Sequence, residues 1–527
     1  MRDRVNNLFK KGIKKIIKSF GLVGSSMLSY KQTNLFEATK FYNTKIQTVV
    51  DDAKKYQGQQ LETVRPKEEL GDFRIVTSPL DSLGNVLIKT ELDGTKKFYR
   101  GIPFDKVVQF KDLYSCGVLQ ALSEAGYVVK IHSTNLYTKE YPLIVEMEAL
   151  CCVPPNCWSF SMIKESAINM LVINAVLKVF GYTLQDGHAL NMAFQQNKPI
   201  FFDLGSFVKN PDELFVEEYI DNYLYTLLML HFKDSFFAKH YICGYERRNL
   251  PLPVRLACSI EAKTMRKIFF RHHTRHSSRE YNKVLQKTFV QKELKPEYVE
   301  VLFSKYPSFE SAWKNYSCEL FQQEPSKRFT RFIELMGQFS SDAKSCLDLA
   351  GNSGYVSSLL GKTGRYKSLI NVDYDENAIE YGRQHLVNEG IDFYLLDFML
   401  PWGSIDSIAP ALASDIVLVL AVTHHLILTQ GYNIRAIFSI IAMYSKKYVY
   451  IEFCPLGMYS TDNPNVPAVP DWYTEEWFEE NFKKQFALLH KEVLSSVRIN
   501  GVDKNHRVLF VGQKMADIPH CCTATTN

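Results

Sequence analysis

At 527 residues, 46% hydrophobic and 23% charged, the chain has an ordinary globular composition and enough material for two or three domains. Its net charge of +5 excludes a globally basic nucleic-acid binder. Its 11 cysteines are odd in number and scattered, without a Cys-x-x-Cys pair; they argue against a disulfide framework and for a reducing cytoplasm.

The predicted elements begin with a basic amphipathic helix over residues 4–20. Val5, Leu8, Phe9, Ile13, Ile16, Ile17 and Phe20 recur at helical spacing and lysines fill the opposite face. The helix suits peripheral contact with an anionic membrane surface, here the inner face, and equally suits docking on the protein's own body. It lacks the uninterrupted apolar core of a signal peptide, and no run elsewhere approaches the roughly 20 apolar residues that span a bilayer. Residues 1–70 read as this helix plus a polar helical connector. Residues 72–150 read as short strands, Val86–Lys89, Lys97–Arg100 and Tyr141–Glu146, punctuated by Gly84-Asn85 and Asp93-Gly94. Residues 159–180 carry apolar side chains every three or four places and predict a helix.

Residues 212–340 read as largely helical, the last part, 301–340, as a helical linker. A stretch from Lys263 to Lys287 contains Arg271-His272-His273-Thr274-Arg275-His276. It reads as a solvated helix face before it reads as a phosphate or metal contact. From 341 to 515 strand and helix alternate, as in a doubly wound α/β sheet. Residues 516–527 read as a tail.

Two constellations carry chemistry. In the first, Leu347-Asp348-Leu349-Ala350-Gly351-Asn352-Ser353-Gly354 ends a strand in a small-residue turn, and Leu369-Ile370-Asn371-Val372-Asp373 closes a second strand on a carboxylate. Small residues let the backbone approach a ligand, and the carboxylate accepts from two ribose hydroxyls. Phe393–Phe398 and Asp415–Ala421 follow as third and fourth strands, with His424-His425 just beyond. This region resembles the class I S-adenosylmethionine-dependent methyltransferases, and among them the bacterial nodulation host-specificity type. The resemblance implies a Rossmann-like methyltransferase domain over 341–515. It implies cofactor contacts from Asp348, Ala350, Gly351, Asn352, Gly354, Asp373, Tyr374, Asp397 and Phe398. The family loop carries glycine where this chain has Ala350 and Asn352. Either histidine suits a general base for a hydroxyl acceptor, with Glu452 as an alternative base or orienting group.

In the second, Leu184-Gln185-Asp186-Gly187-His188-Ala189-Leu190-Asn191 precedes Ile200-Phe201-Phe202-Asp203-Leu204-Gly205. These runs resemble the catalytic and metal-binding loops of kinase-like phosphotransferases of the aminoglycoside type. The resemblance implies a two-lobed α+β domain over 71–300, Asp186 positioning an acceptor hydroxyl, and Asn191 and Asp203 holding Mg²⁺ on ATP. There are departures: no Gly-rich phosphate loop precedes the motif, and Leu184 stands where a histidine is usual. The small lobe's Lys–Glu pair has no clear counterpart, with Lys89, Lys97 or Arg100 as the alternatives for a phosphate contact.

The function so implied is O-methylation of a glycan or surface-polymer intermediate, with a kinase-like module that binds or phosphorylates the same acceptor. The alternative is a regulatory or effector-like scaffold that binds nucleotide without turnover. Nucleic-acid methylation is a third and weaker option, because no Asn/Asp-Pro-Pro-Tyr/Phe run stands at the fourth strand and the C-terminal domain has no basic face.

Overall fold

The computed structural model describes residues 25–61, 67–76, 83–92, 94–209, 214–231, 235–243, 294–311, 313, 316, 319–401, 403–460 and 464–515. The amphipathic segment 4–20, the basic stretch 263–287 and the tail 516–527 lie outside these. The chain divides into two compact units, Met1–Ser308 and Phe309–Asn527.

In the first unit α1 (Ser25–Tyr56) precedes β1 (Arg74–Ile75), β2 (Asn85–Thr90) and β3 (Lys96–Ile102). Helices α2 (Val107–Ser115) and α3 (Val118–Glu124) then lead to β4 (Ile131–Ser133) and β5 (Leu143–Met147). The five strands form one antiparallel sheet in the order β1-β2-β3-β5-β4. The turns open where glycine permits a left-handed backbone, Gly84 at φ 105° and Gly94 at φ 83°. Beyond the sheet, α4 (Phe160–Val179) is long and apolar enough to cross a membrane, but most of it is buried inside the unit.

Short strands β6 (Thr183–Leu184), β7 (Met192–Gln195), β8 (Lys198–Phe201) and β9 (Phe207–Val208) pair as β7-β8 and β6-β9. Gln196 and Asn197 close the β7-β8 hairpin at φ 48° and 63°, the backbone that a two-residue hairpin turn requires. Helix α5 (Leu214–Tyr219) runs through a π turn, Ile220–Leu224, into α6 (Tyr225–His231). Helices α7 (Ser235–Ile242) and α8 (Pro296–Leu302) follow. The segment expected as a connector is integral to this unit. Leu35, Tyr42, Val49 and Ala53 of α1 are buried in one stripe, and the helix packs on α3, α4 and α8.

The second unit opens at Phe309, so the expected linker over 301–340 is divided: α8 ends in the first unit, and α9 (Lys327–Phe339) is a layer of the second. Phe329, Phe332, Leu335 and Met336 of α9 belong to the core. Seven strands form one sheet: β10 (Ser345–Leu349), β11 (Ser368–Asp373), β12 (Ile391–Leu395), β13 (Ser414–Val419), β14 (Ser445–Phe453), β15 (Phe486–Ile499) and β16 (Val502–Lys514). The order is β12-β11-β10-β13-β14-β16-β15, parallel from β12 to β14 and antiparallel beyond.

Helices α10 (Tyr355–Gly361), α11 (Glu376–His385), α12 (Ile405–Leu412), α13 (Ile434–Tyr444) and α14 (Glu475–Phe482) connect the strands. The strands β10, β11 and β13 are almost wholly buried, as parallel strands covered on both faces are. This is the doubly wound, Rossmann-like arrangement. The chain leaves the central strand β10 in one direction and returns through β13 in the other. That reversal opens a crevice at the carboxyl ends of the strands.

Candidate active site

A cavity of about 340 Å³ occupies that crevice, within the size range of small-molecule sites. Ala350 and Asn352 enter it from the turn after β10, Asp373 and Tyr374 from the end of β11, Asp397 and Phe398 from beyond β12, and Ala421 from the end of β13. Ala350, Asn352 and Ala421 hold left-handed backbones at φ 58°, 51° and 53°. For a residue with a Cβ this costs about 1–2 kcal/mol. Three such residues around one cavity make it the candidate functional region.

The turn is held from below. Asp348 is buried and does not line the cavity. Gly351 lies directly over it: a Cβ there would come 2.6 Å from the Asp348 carboxyl and 2.1 Å from Asn371 Oδ1. Gly354 begins α10 at φ 80°, and a Cβ there would meet Phe393 at 2.8 Å. Asp348, Gly351 and Gly354, expected as cofactor contacts, shape the turn and are not among the residues that line the cavity. Burial pushes the Asp348 carboxyl up to about 7, reinforced by the charge of Asp373.

Asp373 is 5% exposed. Its Oδ2 accepts the Asn352 N–H at 2.8 Å and its Oδ1 the Asp375 N–H at 2.8 Å. Burial raises its carboxyl to about 6, against the lowering effect of those two donors. Tyr374, 56% exposed, presents its ring beside it. Asp397 Oδ1 caps the next turn through the N–H groups of Met399 and Leu400 at 2.9 and 3.2 Å, and Phe398 is buried in the wall.

The two histidines separate. His425 lines the cavity and opens a π turn, His425–Thr429, a device frequent at functional sites. Burial and the charge of Arg507 lower its pKa, so it is neutral at neutral pH. His424 is absent from the lining. Burial, then the neighbouring His425, push its pKa down to about 2, and its Nδ1 is buried without a hydrogen-bond partner among the described residues. It packs behind His425, ring centroids 4.2 Å apart, buried and away from the cavity where an acceptor hydroxyl would lie.

Glu452 is also corrected. It is fully buried, accepts from Arg328 Nε and Nη2 at 2.8 and 2.6 Å, and lies 3.7 Å from Arg507. Both of its carboxylate oxygens are taken by Arg328 donors and it does not line the cavity, so it stands away from any acceptor hydroxyl there. Its backbone carbonyl accepts from Thr423 Oγ1 at 2.8 Å, which fixes the turn leading to the histidines.

Trp313 and Tyr316 complete the lining and were invisible to sequence reasoning. Asn377 accepts the Phe309 N–H and donates to its carbonyl, at 3.0 and 2.8 Å. Ser311 donates to Asp375, and Asn352 Nδ2 donates to the Trp313 carbonyl at 3.2 Å. Trp313 thereby meets the His425 ring edge-on, centroids 4.9 Å apart. Its position depends on contacts 39 to 112 residues away along the chain, which no local pattern announces.

In the first unit the two expected loops do come together. The Asp186 N–H donates to Ser206 Oγ at 2.9 Å and the Phe202 N–H to the Asn191 carbonyl at 3.1 Å. Lys89 and Lys97 both turn to Glu91. Arg100 is fully buried, and its Nη2 donates to Asp203 Oδ1 at 3.1 Å. The expected magnesium ligand Asp203 is thus paired with an arginine, and the same oxygen also accepts the Gly205 N–H at 3.1 Å. Asn191 is 8% exposed and its Nδ2 has no partner among the described residues.

No protein-family model matches the chain, and no curated protein matches it. Solved structures similar to it include the methyltransferase domain of bacterial CtHen1-C, at 14% identity and TM-score 0.28 over 36% of this chain and 98% of that one. A S-adenosylmethionine-dependent methyltransferase from Clostridium acetobutylicum ATCC 824 is similar at 13% identity and TM-score 0.28, over 38% of this chain and 96% of that one. Magnesium protoporphyrin IX methyltransferase (ChlM) from Synechocystis PCC 6803, with bound SAH, is similar at 11% identity and TM-score 0.26, over 40% of this chain and 90% of that one.

Proposed function

We propose that the second unit is a S-adenosylmethionine-dependent methyltransferase acting on a hydroxyl, with His425 as general base. One observation carries the reading. Asp373 stands at the switch point with its carboxylate fixed by two backbone N–H groups and open to the cavity. A carboxylate has about four lone-pair sites. Two are used by the backbone, and two are left for a pair of vicinal ribose hydroxyls. The residues present therefore fit the nucleoside end of this cofactor.

When bound, S-adenosylmethionine supplies a methyl group already activated by its sulfonium. The chain's part is placement. Asp373 orients the sugar, Tyr374 and Phe398 flank the base, and Asp397 offers its second carboxylate oxygen to an amino group. Ala350 and Asn352 set how closely the backbone approaches. His425, neutral and edge-on to Trp313, accepts the proton of an acceptor hydroxyl as the new bond forms.

The acceptor class, a glycan or surface-polymer intermediate, rests on the sequence resemblance. So does a kinase-like role for the first unit in holding the same acceptor. A cytoplasmic location, with peripheral contact at the inner membrane face through residues 4–20, rests on cysteine usage and charge placement.

A second reading is favoured by the pairing of Arg100 with Asp203: the first unit binds a ligand without transferring phosphate, and the protein acts as a scaffold. Titration calorimetry of S-adenosylmethionine and of ATP into wild type, Asp373→Ala and Asp203→Ala tests cofactor binding, and transfer of labelled methyl groups to cell extract tests turnover. Cofactor binding that Asp373→Ala abolishes, with label transferred to an extract component, is the expected result. Tight cofactor binding with no transfer to any fraction supports the scaffold, and no binding at all overturns both.

A further inference from the structure

The loop after β6 carries a second group of chemically active side chains that the methyl-transfer reading does not use. One ligand atom from each of Asp186, His188 and Glu218 lies within 4.8 Å of the others, and all three side chains are partly shielded from solvent. Glu218 comes from α5, which starts 26 residues beyond His188 in the chain. The loop is seated on that helix by backbone contacts. The Gly187 N–H donates to Glu218 Oε2 at 3.0 Å, and a Cβ at Gly187 would lie 2.3 Å from the Phe215 carbonyl oxygen and 2.6 Å from the Tyr219 nitrogen. Only glycine lets the loop come this close.

The electrostatics of the group are incomplete. Two carboxylates converge here, and among the described residues no lysine or arginine pairs with either. The arginine that reaches these loops, Arg100, is committed to Asp203. His188 Nδ1 is buried and has no hydrogen-bond partner among the described residues. An imidazole with one buried, unpartnered ring nitrogen, clustered with two carboxylates that no lysine or arginine pairs among the described residues, is an environment that a cation relieves.

We infer that Asp186, His188 and Glu218 form a divalent-cation site in the first unit. The donor set is two oxygens and one imidazole nitrogen. It suits Mn²⁺ or Zn²⁺ over Mg²⁺ or Ca²⁺, which take oxygen alone. Three protein ligands leave coordination positions for water or an anionic oxygen, as in sites that also receive an exogenous ligand. This is not the pair expected from the sequence, Asn191 and Asp203, and it does not depend on methyl transfer in the second unit.

The test uses the full chain, stripped of metal with a chelator and titrated with Mn²⁺ alone while free Mn²⁺ is followed by electron paramagnetic resonance. One saturable Mn²⁺ per chain is expected, with spin-echo modulation from a directly bound imidazole nitrogen. His188→Gln removes the modulation and weakens binding about tenfold or more. Glu218→Gln, which keeps an acceptor for the Gly187 N–H, weakens binding with little change in melting temperature. His272→Ala/His273→Ala, in the separate histidine-rich stretch, leaves binding intact. Absence of saturable binding or of nitrogen modulation in wild type overturns the site. So does affinity unchanged in both His188→Gln and Glu218→Gln, or binding lost in the His272/His273 variant instead.

Discussion

Asn352 and Asp373 meet across the switch point, the backbone N–H of one donating to Oδ2 of the other at 2.8 Å. The bond ties the turn after the central strand to the tip of its neighbour. It also separates two uses of one side chain, because Asp373 supports the protein backbone and faces the cavity.

That double use decides which substitution is informative. Asp373→Ala leaves two buried N–H groups without acceptors, at about 1–3 kcal/mol each, and so mixes folding with binding. Asp373→Asn keeps one acceptor and the shape. We expect Asp373→Asn to retain most of the stability while S-adenosylmethionine affinity falls about 100-fold, the loss of hydrogen bonds to a charged acceptor. Calorimetric titration alongside urea unfolding separates the two effects.

Asp348 and Asp373 give the second unit a defined pH response. Their carboxyls are raised to about 7 and about 6, above the ordinary value near 4. Between those limits the native state holds protons that the unfolded chain releases, so stability falls as pH rises through the window. Urea midpoints are expected to be higher near about pH 5 than near about pH 8. Asp348→Asn removes most of the slope and stabilises the protein at the higher pH by a few kcal/mol, on the order of the shift at about 1.4 kcal/mol per unit. Cofactor affinity runs the other way: protonating Asp373 removes an acceptor, so binding weakens below about pH 6.

The histidine pair separates in kinetics. Replacing His425 with Ala is expected to lower methyl transfer by about 10²–10⁴-fold, the usual loss of a general base, with cofactor affinity little changed. The rate of wild type falls as pH drops through the depressed pKa of His425, and that limb disappears in the variant. His424→Ala opens space in a packed wall and is expected to lower the melting temperature without removing the acid limb of the profile.

Arg328 and Glu452 form a two-point ion pair with one partner fully buried. Arg328→Ala strands a buried carboxylate. Arg507 at 3.7 Å remains as partial compensation, so the cost is expected near the lower end of about 3–5 kcal/mol, read from urea unfolding. Glu452→Gln sets an amide N–H against one of the two Arg328 donors and leaves Arg328 and Arg507 without their shared anion, so it is expected to be destabilising as well.

The α/β alternation, the small-residue turn and the acid closing β11 were all legible in the chain, because each is a pattern within a few residues. The histidine pair beyond β13 was legible for the same reason. Orientation was not. Asp348 and Asp373 are the same residue type near the ends of adjacent strands, yet one lies under the turn and the other opens to the cavity. Asp348 is one residue short of its strand end and is covered by Gly351, whereas Asp373 is the final residue of its strand.

Local pattern therefore carried the class of each element and the neighbourhood of the site, since propensity and periodicity act over one or two turns of chain. The fate of individual polar groups depended on partners far along the chain. Glu452 is neutralised by Arg328, 124 positions away, and Asp203 by Arg100, 103 positions away. Trp313 reaches His425 from before the first strand of the unit. A buried charge takes whichever counter-charge packing brings within reach, and that pairing is a property of the assembled core.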